Sequence, residues 1–135
     1  MPTDLKPKIY AQTLGRRKRS IAQVRLIAGK GNVIVNGKKP QDYFGAHQDL
    51  SRILNPLKLL SLEKYDISAK ISGGGVAGQL DALVLGIARA VASLKKDFHT
   101  AMRDADLLTR DSRKKQRRMI GMGGKSRRKK QSPKR

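Results

Sequence analysis

The chain has 135 residues, and its 31 Lys/Arg against 10 Asp/Glu give a formal net charge of +21 and an isoelectric point near 11.1. That length has room for one domain with a modest core, and self-repulsion at that charge makes a polyanion the expected partner. The lack of cysteine excludes disulfides and thiolate metal sites and fits a reducing cytosol, while the lack of both a signal peptide and a run of about 18 apolar residues sets membrane partners aside.

The charge is uneven. Residues 1–109 carry 18 Lys/Arg and 9 Asp/Glu, a net of +9, whereas residues 110–135 carry 13 Lys/Arg and a single acid, Asp111, a net of +12. A disordered arm over 1–8, a globular domain over 9–109 and an extended cationic tail over 110–135 are therefore expected.

In chain order, Ile9–Leu14 reads as a strand. Gly15-Arg16-Arg17-Lys18-Arg19 follows as a basic hairpin loop, and four adjacent like charges favour a phosphate-binding loop over a solvated turn. Ala22, Val24 and Leu26 alternate with Gln23, Arg25 and Ile27 as a second strand. Gly29-Lys30-Gly31-Asn32 is a turn, Val33-Ile34-Val35 a third strand, and Pro40 opens a short helix through Phe44. Leu50, Ile53 and Leu54 lie on a helix that Asn55-Pro56 is expected to interrupt, and Leu57, Leu59, Leu60 and Leu62 are expected to be buried.

The strongest pattern runs from Tyr65 to Lys96. Asp66, Ser68, Lys70 and Ser72 alternate with Ile67, Ala69 and Ile71, the period of a half-buried strand. Gly73, Gly74 and Gly75 break the chain, and Leu80, Leu83, Val84, Ile87, Val91 and Leu94 then make one apolar stripe on a helix. Gly73, Gly74, Gly75 and Gly78 are read as a structural turn, with left-handed backbone expected at Gly74 and Gly75. Phe98, Met102, Ala105 and Leu108 suggest a last, shorter helix. Beyond them only Met119, Ile120 and Met122 are large apolar residues, too few to order the tail without a polyanion.

Three motifs invite chemistry and are set aside. Gly73-x-Gly75-x-x-Gly78 matches a dinucleotide fingerprint, but its strand is polar on one face and no second βα unit follows. The same backbone N–H groups at a helix start would hold an RNA phosphate instead. Gly123-Gly124-Lys125-Ser126 resembles the end of a P-loop but lacks the preceding strand and the earlier glycine. His47 and His99 are too few for a zinc site, and His99 is read as a surface residue. Tyr10, Tyr43, Phe44, Tyr65 and Phe98 form no base-stacking platform interleaved with cations. No catalysis, cofactor or metal is expected.

Taken together, these residues resemble the universal small-subunit ribosomal protein nine family, of bacterial or organellar type. The likeness spans about Thr13 to Arg135 and rests on Gly15-Arg16-Arg17-Lys18 and Asp42-Tyr43-Phe44. It rests also on Gly73-Gly74-Gly75-Val76-Ala77-Gly78-Gln79 with Ala82, Gly86, Ile87, Ala88, Arg89 and Ala90, on Thr109-Arg110-Asp111, and on the final Lys134-Arg135. Gln131-Ser132-Pro133 lacks the aromatic residue that many bacterial relatives carry near the tip.

The resemblance implies an α+β two-layer fold, a four-stranded sheet with helices on one face, followed by the basic tail. It implies a cytoplasmic, ribosome-bound protein, an organellar ribosome being left open, in the head of the small subunit beside other head proteins. There it would bind the 3′ domain of the rRNA, with the tail reaching the anticodon stem of the P-site tRNA. The expected rRNA contacts are Arg16, Arg17, Lys18 and Arg19 in the loop. In the tail they are Arg110, Arg113, Lys114, Lys115, Arg117, Arg118, Lys125, Arg127, Arg128, Lys129 and Lys130. Lys134 and Arg135 would meet tRNA. The rival readings are a free, histone-like nucleic-acid binder and a nucleotide-dependent enzyme working through Gly73–Gly78.

Overall fold

A computed structural model describes residues 8–46 and 49–119. The arm expected over 1–8, apart from Lys8, lies outside them, as do His47 and everything after Met119. The strands are β1 (Ile9–Arg17), β2 (Ser20–Ala28), β3 (Val33–Val35) and β4 (Tyr65–Ser72). The helices are α1 (Pro40–Phe44), α2 (Ser51–Leu59), α3 (Val76–Ala92) and α4 (Lys96–Asp104). The sheet order is β1-β2-β4-β3, with β1/β2 and β2/β4 antiparallel and β3/β4 parallel.

The alternation read from the sequence decides which face is covered. Ala22, Val24 and Leu26 of β2 and Ile67, Ala69 and Ile71 of β4 are buried under α3, in a common core with Leu80, Leu83, Ile87 and Val91. Helix α3 is buried nearly all round because the sheet lies on one side and α2 and α4 on the others. Among the described residues no helix covers the opposite sheet face, which presents Gln23, Arg25, Ser68 and Lys70, in the cross-strand pairs Gln23↔Lys70 and Arg25↔Ser68.

Two glycines let α3 approach β1 closely. A Cβ on Gly15 would lie 1.8 Å from the Ala82 carbonyl oxygen and 2.5 Å from the Gly86 nitrogen, and one on Gly86 would lie 2.7 Å from Val24 Cγ2. Across this seam the Thr13 hydroxyl donates to the Gly86 carbonyl at 2.7 Å, and Arg89 Nη1 donates to the Leu14 carbonyl at 2.9 Å. At the far end of the sheet, Asp66 Oδ1 accepts the backbone N–H groups of Lys30, Gly31 and Asn32 at 2.8, 3.0 and 2.8 Å. These bonds, that from Asn32 foremost, hold the Asp66 carboxyl below the usual carboxylate range against a smaller opposing effect of burial. They also fix the turn between β2 and β3.

Four expectations are corrected. Strand β1 continues through Arg17 instead of ending at Leu14, because the Gly15↔Ala22, Arg16↔Ile21 and Arg17↔Ser20 pairs extend the ladder and leave only Lys18-Arg19 as the turn. Pro56 does not interrupt α2. It forgoes one bond to the carbonyl of Arg52, a residue facing solvent, and its ring is buried. Leu59 is 52% exposed, since two positions after Leu57 it is turned off the buried face of Ile53, Pro56 and Leu57. The left-handed residues of the glycine turn are Gly73 (φ 74°) and Gly74 (φ 67°), whereas Gly75 has φ −101° and open space where a Cβ would stand.

Gly15→Ala should therefore destabilise the domain by about 1–3 kcal/mol, the range for overpacking against backbone that cannot move. Gly75→Ser, which adds an N-cap hydroxyl to α3, should leave stability unchanged or raised by a few tenths of a kcal/mol. Urea midpoints of the two variants check both expectations.

Candidate nucleic-acid interface

The two-residue turn between β1 and β2 puts Lys18 in left-handed backbone (φ 52°) and leaves both Lys18 and Arg19 exposed. Glycine-turn residues Gly74 and Gly75 lie beside it. The Ser20 hydroxyl donates to the Gly73 carbonyl at 3.0 Å, and a Cβ on Gly73 would lie 2.6 Å from the Arg19 carbonyl oxygen. Gln79 Nε2 donates to the same Gly73 carbonyl at 3.0 Å, and the Gln79 amide oxygen accepts the Tyr43 hydroxyl at 3.0 Å. No side chain caps the first turn of α3, so its N–H groups open towards this corner.

The chain after α4 returns to that corner. Leu107 and Leu108 pack against the core, and the Leu107 N–H bonds the Met102 carbonyl at 3.0 Å. From Arg110 to Met119 there is no helix or strand. Residues Arg113 to Arg118 form one wall of a groove of about 1060 Å³, and Arg17, Lys18, Arg19, Gly74 and Gly75 form the other. Lys18, Arg19, Lys114, Lys115, Arg117 and Arg118 line it without an ion pair among the described residues. Six unneutralised cations beside a free helix start make a surface for a backbone of phosphates, which needs charge and N–H donors and no base-specific shape.

Two of the expected RNA contacts are paired with acids of the chain itself. Arg17 has a side chain only 13% exposed, because it points inward from β1 onto acids: Nε lies 3.6 Å from Asp81 Oδ2 and Nη2 lies 3.2 Å from Asp111 Oδ2. Arg113 grips Asp111 with Nε at 3.0 Å from both carboxylate oxygens, Nη2 at 2.6 Å and its backbone N–H at 3.0 Å. Asp81 is shared with Arg52 of α2 at 2.8 Å. The Arg113 side chain foremost, then its N–H, with Arg17 adding to them, hold the Asp111 carboxyl far below the ordinary range, and the Arg113 guanidinium is raised in turn.

Arg16 is exposed at the edge of this acid-containing cluster, and Arg110 is exposed outside the groove. Lys125, Arg127, Arg128, Lys129, Lys130, Lys134 and Arg135 lie outside the described residues. The sequence reading left out Arg25 and Lys70 on the open sheet face, whose signal was their place at the polar positions of two alternating strands. It also left out the pairing roles of Asp81 and Asp111, although Asp111 stands out as the single acid of the tail.

The dinucleotide reading of Gly73–Gly78 fails on topology. β4 runs antiparallel to β2, and among the described residues no strand follows α3, so the glycines do not open a βαβ unit. His99 is exposed, and among the described residues no group of three His, Cys, Asp or Glu side chains could hold a metal.

Comparison with known proteins identifies the family of the chain. The family model described as "Ribosomal protein S9/S16" matches residues 15–135. "Small ribosomal subunit protein uS9" of Ureaplasma parvum is 45% identical over 112 residues, covering 82% of this chain and 84% of that protein. The protein of the same name from Gloeothece citriformis is 44% identical over 122 residues, 89% of each chain. "Small ribosomal subunit protein uS9c" of the alga Gracilaria tenuistipitata is 44% identical over 116 residues, 84% of each.

The Asp111 pairing has a readable consequence in acid. Its folded pKa is depressed, so the pairing contributes fully above the unfolded value of about 3.9 and is lost only as pH falls through the lower folded value. The carboxyl carbon of Asp111, followed by NMR, should titrate well below pH 3.9 in the folded protein. A midpoint at the ordinary value would contradict the pairing.

Proposed function

The chain belongs to the ribosomal protein S9/S16 family, and from that membership we propose that it is a structural, non-catalytic protein of the small ribosomal subunit. The groove between the Lys18-Arg19 turn and residues 113–118 holds the backbone of rRNA in the subunit head. The rest of the tail follows the rRNA outward, beside neighbouring head proteins, until Lys134 and Arg135 reach the anticodon stem of the P-site tRNA. Residues 1–8 act as an arm, 9–109 as the domain that sets where the tail begins, and 110–135 as the tail that orders on RNA.

One observation carries this reading: six cations with no ion-pair partner among the described residues converge on one groove while the acids nearby, Asp81 and Asp111, are already occupied by Arg52, Arg17 and Arg113. A self-contained domain would place its cations beside acids or spread them over its surface. A groove lined by one sign of charge focuses its field on a polyanion. The contacts position RNA without reading its sequence, as suits a protein whose site is defined by the fold of the rRNA.

The test is binding to the head-domain rRNA across a salt series. Each of Lys18→Gln and Arg19→Gln should lower the log–log salt slope by roughly 0.7–0.9, the value for one phosphate contact. Slopes equal to that of the unaltered protein would remove these residues from the interface. The tip makes a separate prediction. Deleting Lys134 and Arg135 should leave incorporation into subunits nearly normal and weaken P-site tRNA by about 1–3 kcal/mol, the scale of charge-assisted hydrogen bonds. Equal tRNA dissociation rates from subunits carrying the full and the shortened chain would assign the tip to rRNA alone.

A further inference from the structure

We propose that Asp111 is a positioning residue for RNA binding: it ties the root of the tail to strand β1 and so fixes the direction in which the cations from Lys114 onward leave the domain. The inference rests on the reading of the groove as an rRNA site. Arg17 reaches the tail root twice, through Nη2 to Asp111 Oδ2 at 3.2 Å and through Nη1 donating to the Arg113 carbonyl at 3.3 Å. Asp111 in turn holds the Arg113 side chain and backbone N–H, so one carboxylate joins strand, tail side chain and tail backbone. The same Arg17 is braced from behind by Asp81 of α3, itself paired with Arg52. Upstream, Thr109 Oγ1 donates to Asp106 Oδ1 at 2.8 Å, and Leu107 and Leu108 pack on the core.

The charge logic makes this more than a surface ion pair. Asp111 is the sole acid of residues 110–135, in a segment that would meet phosphate. By Coulomb repulsion alone an acid there weakens RNA binding, so its neutralisation should tighten the complex. The positioning role predicts the opposite. Without the carboxylate, Arg17 and Arg113 face each other as like charges, the root swings away, and RNA must order the tail that the protein had already directed. Ordering even one backbone residue carries a free energy corresponding to about a five- to tenfold change in affinity.

The experiment compares full-length protein with Asp111→Asn and Asp111→Glu for binding to head-domain rRNA over a salt series. The expected result is about five- to tenfold weaker binding for Asp111→Asn with an unchanged salt slope, and near-complete rescue by Asp111→Glu, which keeps the carboxylate. Equal or tighter binding by Asp111→Asn overturns the proposal. Weak, salt-independent binding by the unaltered protein would instead overturn the rRNA reading beneath it. A second measurement does not depend on RNA. The chain has no cysteine, so Gln116→Cys takes a single spin label, which should move more freely in free Asp111→Asn protein than with Asp111 in place. Equal label mobility in the two proteins also overturns the proposal.

Discussion

The close approach of helix α3 to strand β1 is the constraint on which the rest of the molecule depends. Gly15 and Gly86 meet where a Cβ on Gly15 would strike the α3 backbone and one on Gly86 would strike Val24, and the Thr13 and Arg89 bonds lock the register of helix on strand. That register places Asp81, one position before Ala82, beside Arg17, two positions after Gly15. Arg17 is then held inward, where Asp111 meets it from the returning chain. A contact between two glycines thus settles where the tail, which begins six residues after Asp104 at the end of α4, departs from the domain.

The second organising fact is how a chain of charge +21 keeps a folded domain at all. Three of its ten acids are used at structural joints. Asp66 gathers three backbone N–H groups at the turn between β2 and β3, while Asp81 and Asp111 hold the arginines that join α2, α3, β1 and the tail. Exposed pairs of this kind contribute little each to stability. Their effect is geometric: they neutralise the cations nearest the core and leave Lys18, Arg19, Lys114, Lys115, Arg117 and Arg118 without an acidic partner among the described residues. An apolar core of Val24, Leu26, Ile67, Leu83, Ile87 and Val91 supplies the stability against which that repulsion works.

Much of this was legible in the residues. Alternation in Ala22–Leu26 and Ile67–Ile71, and the stripe from Leu80 to Val91, gave the covered sheet face and its helix directly, because burial on one side leaves a period in the chain. What escaped depends on contacts distant in sequence. Leu59 looked buried because it is a leucine among leucines, yet the face of α2 is set by Ile53, Pro56 and Leu57. Pro56 looked like a break, but its missing donor falls opposite an exposed turn. Gly75 looked essential beside Gly73 and Gly74, although only φ values distinguish a left-handed glycine from an ordinary N-cap. Among the candidate RNA contacts, Lys18 and Arg19 lie where the loop reading put them. Arg17 is turned to Asp111 and donates to the Arg113 carbonyl 96 residues away, contacts that no local pattern records, while Arg113 meets Asp111 from two residues along the chain.

The most direct test of the central claim, that one groove of unpaired cations faces RNA, is lysine footprinting. The reactivity of Lys18, Lys114 and Lys115 towards an amine-labelling reagent would be measured by mass spectrometry in the free protein and in its complex with isolated head-domain rRNA. The account predicts that all three react readily when free and are protected together on binding, since they line the same groove. Unchanged reactivity of these three lysines in a complex that has demonstrably formed would contradict it.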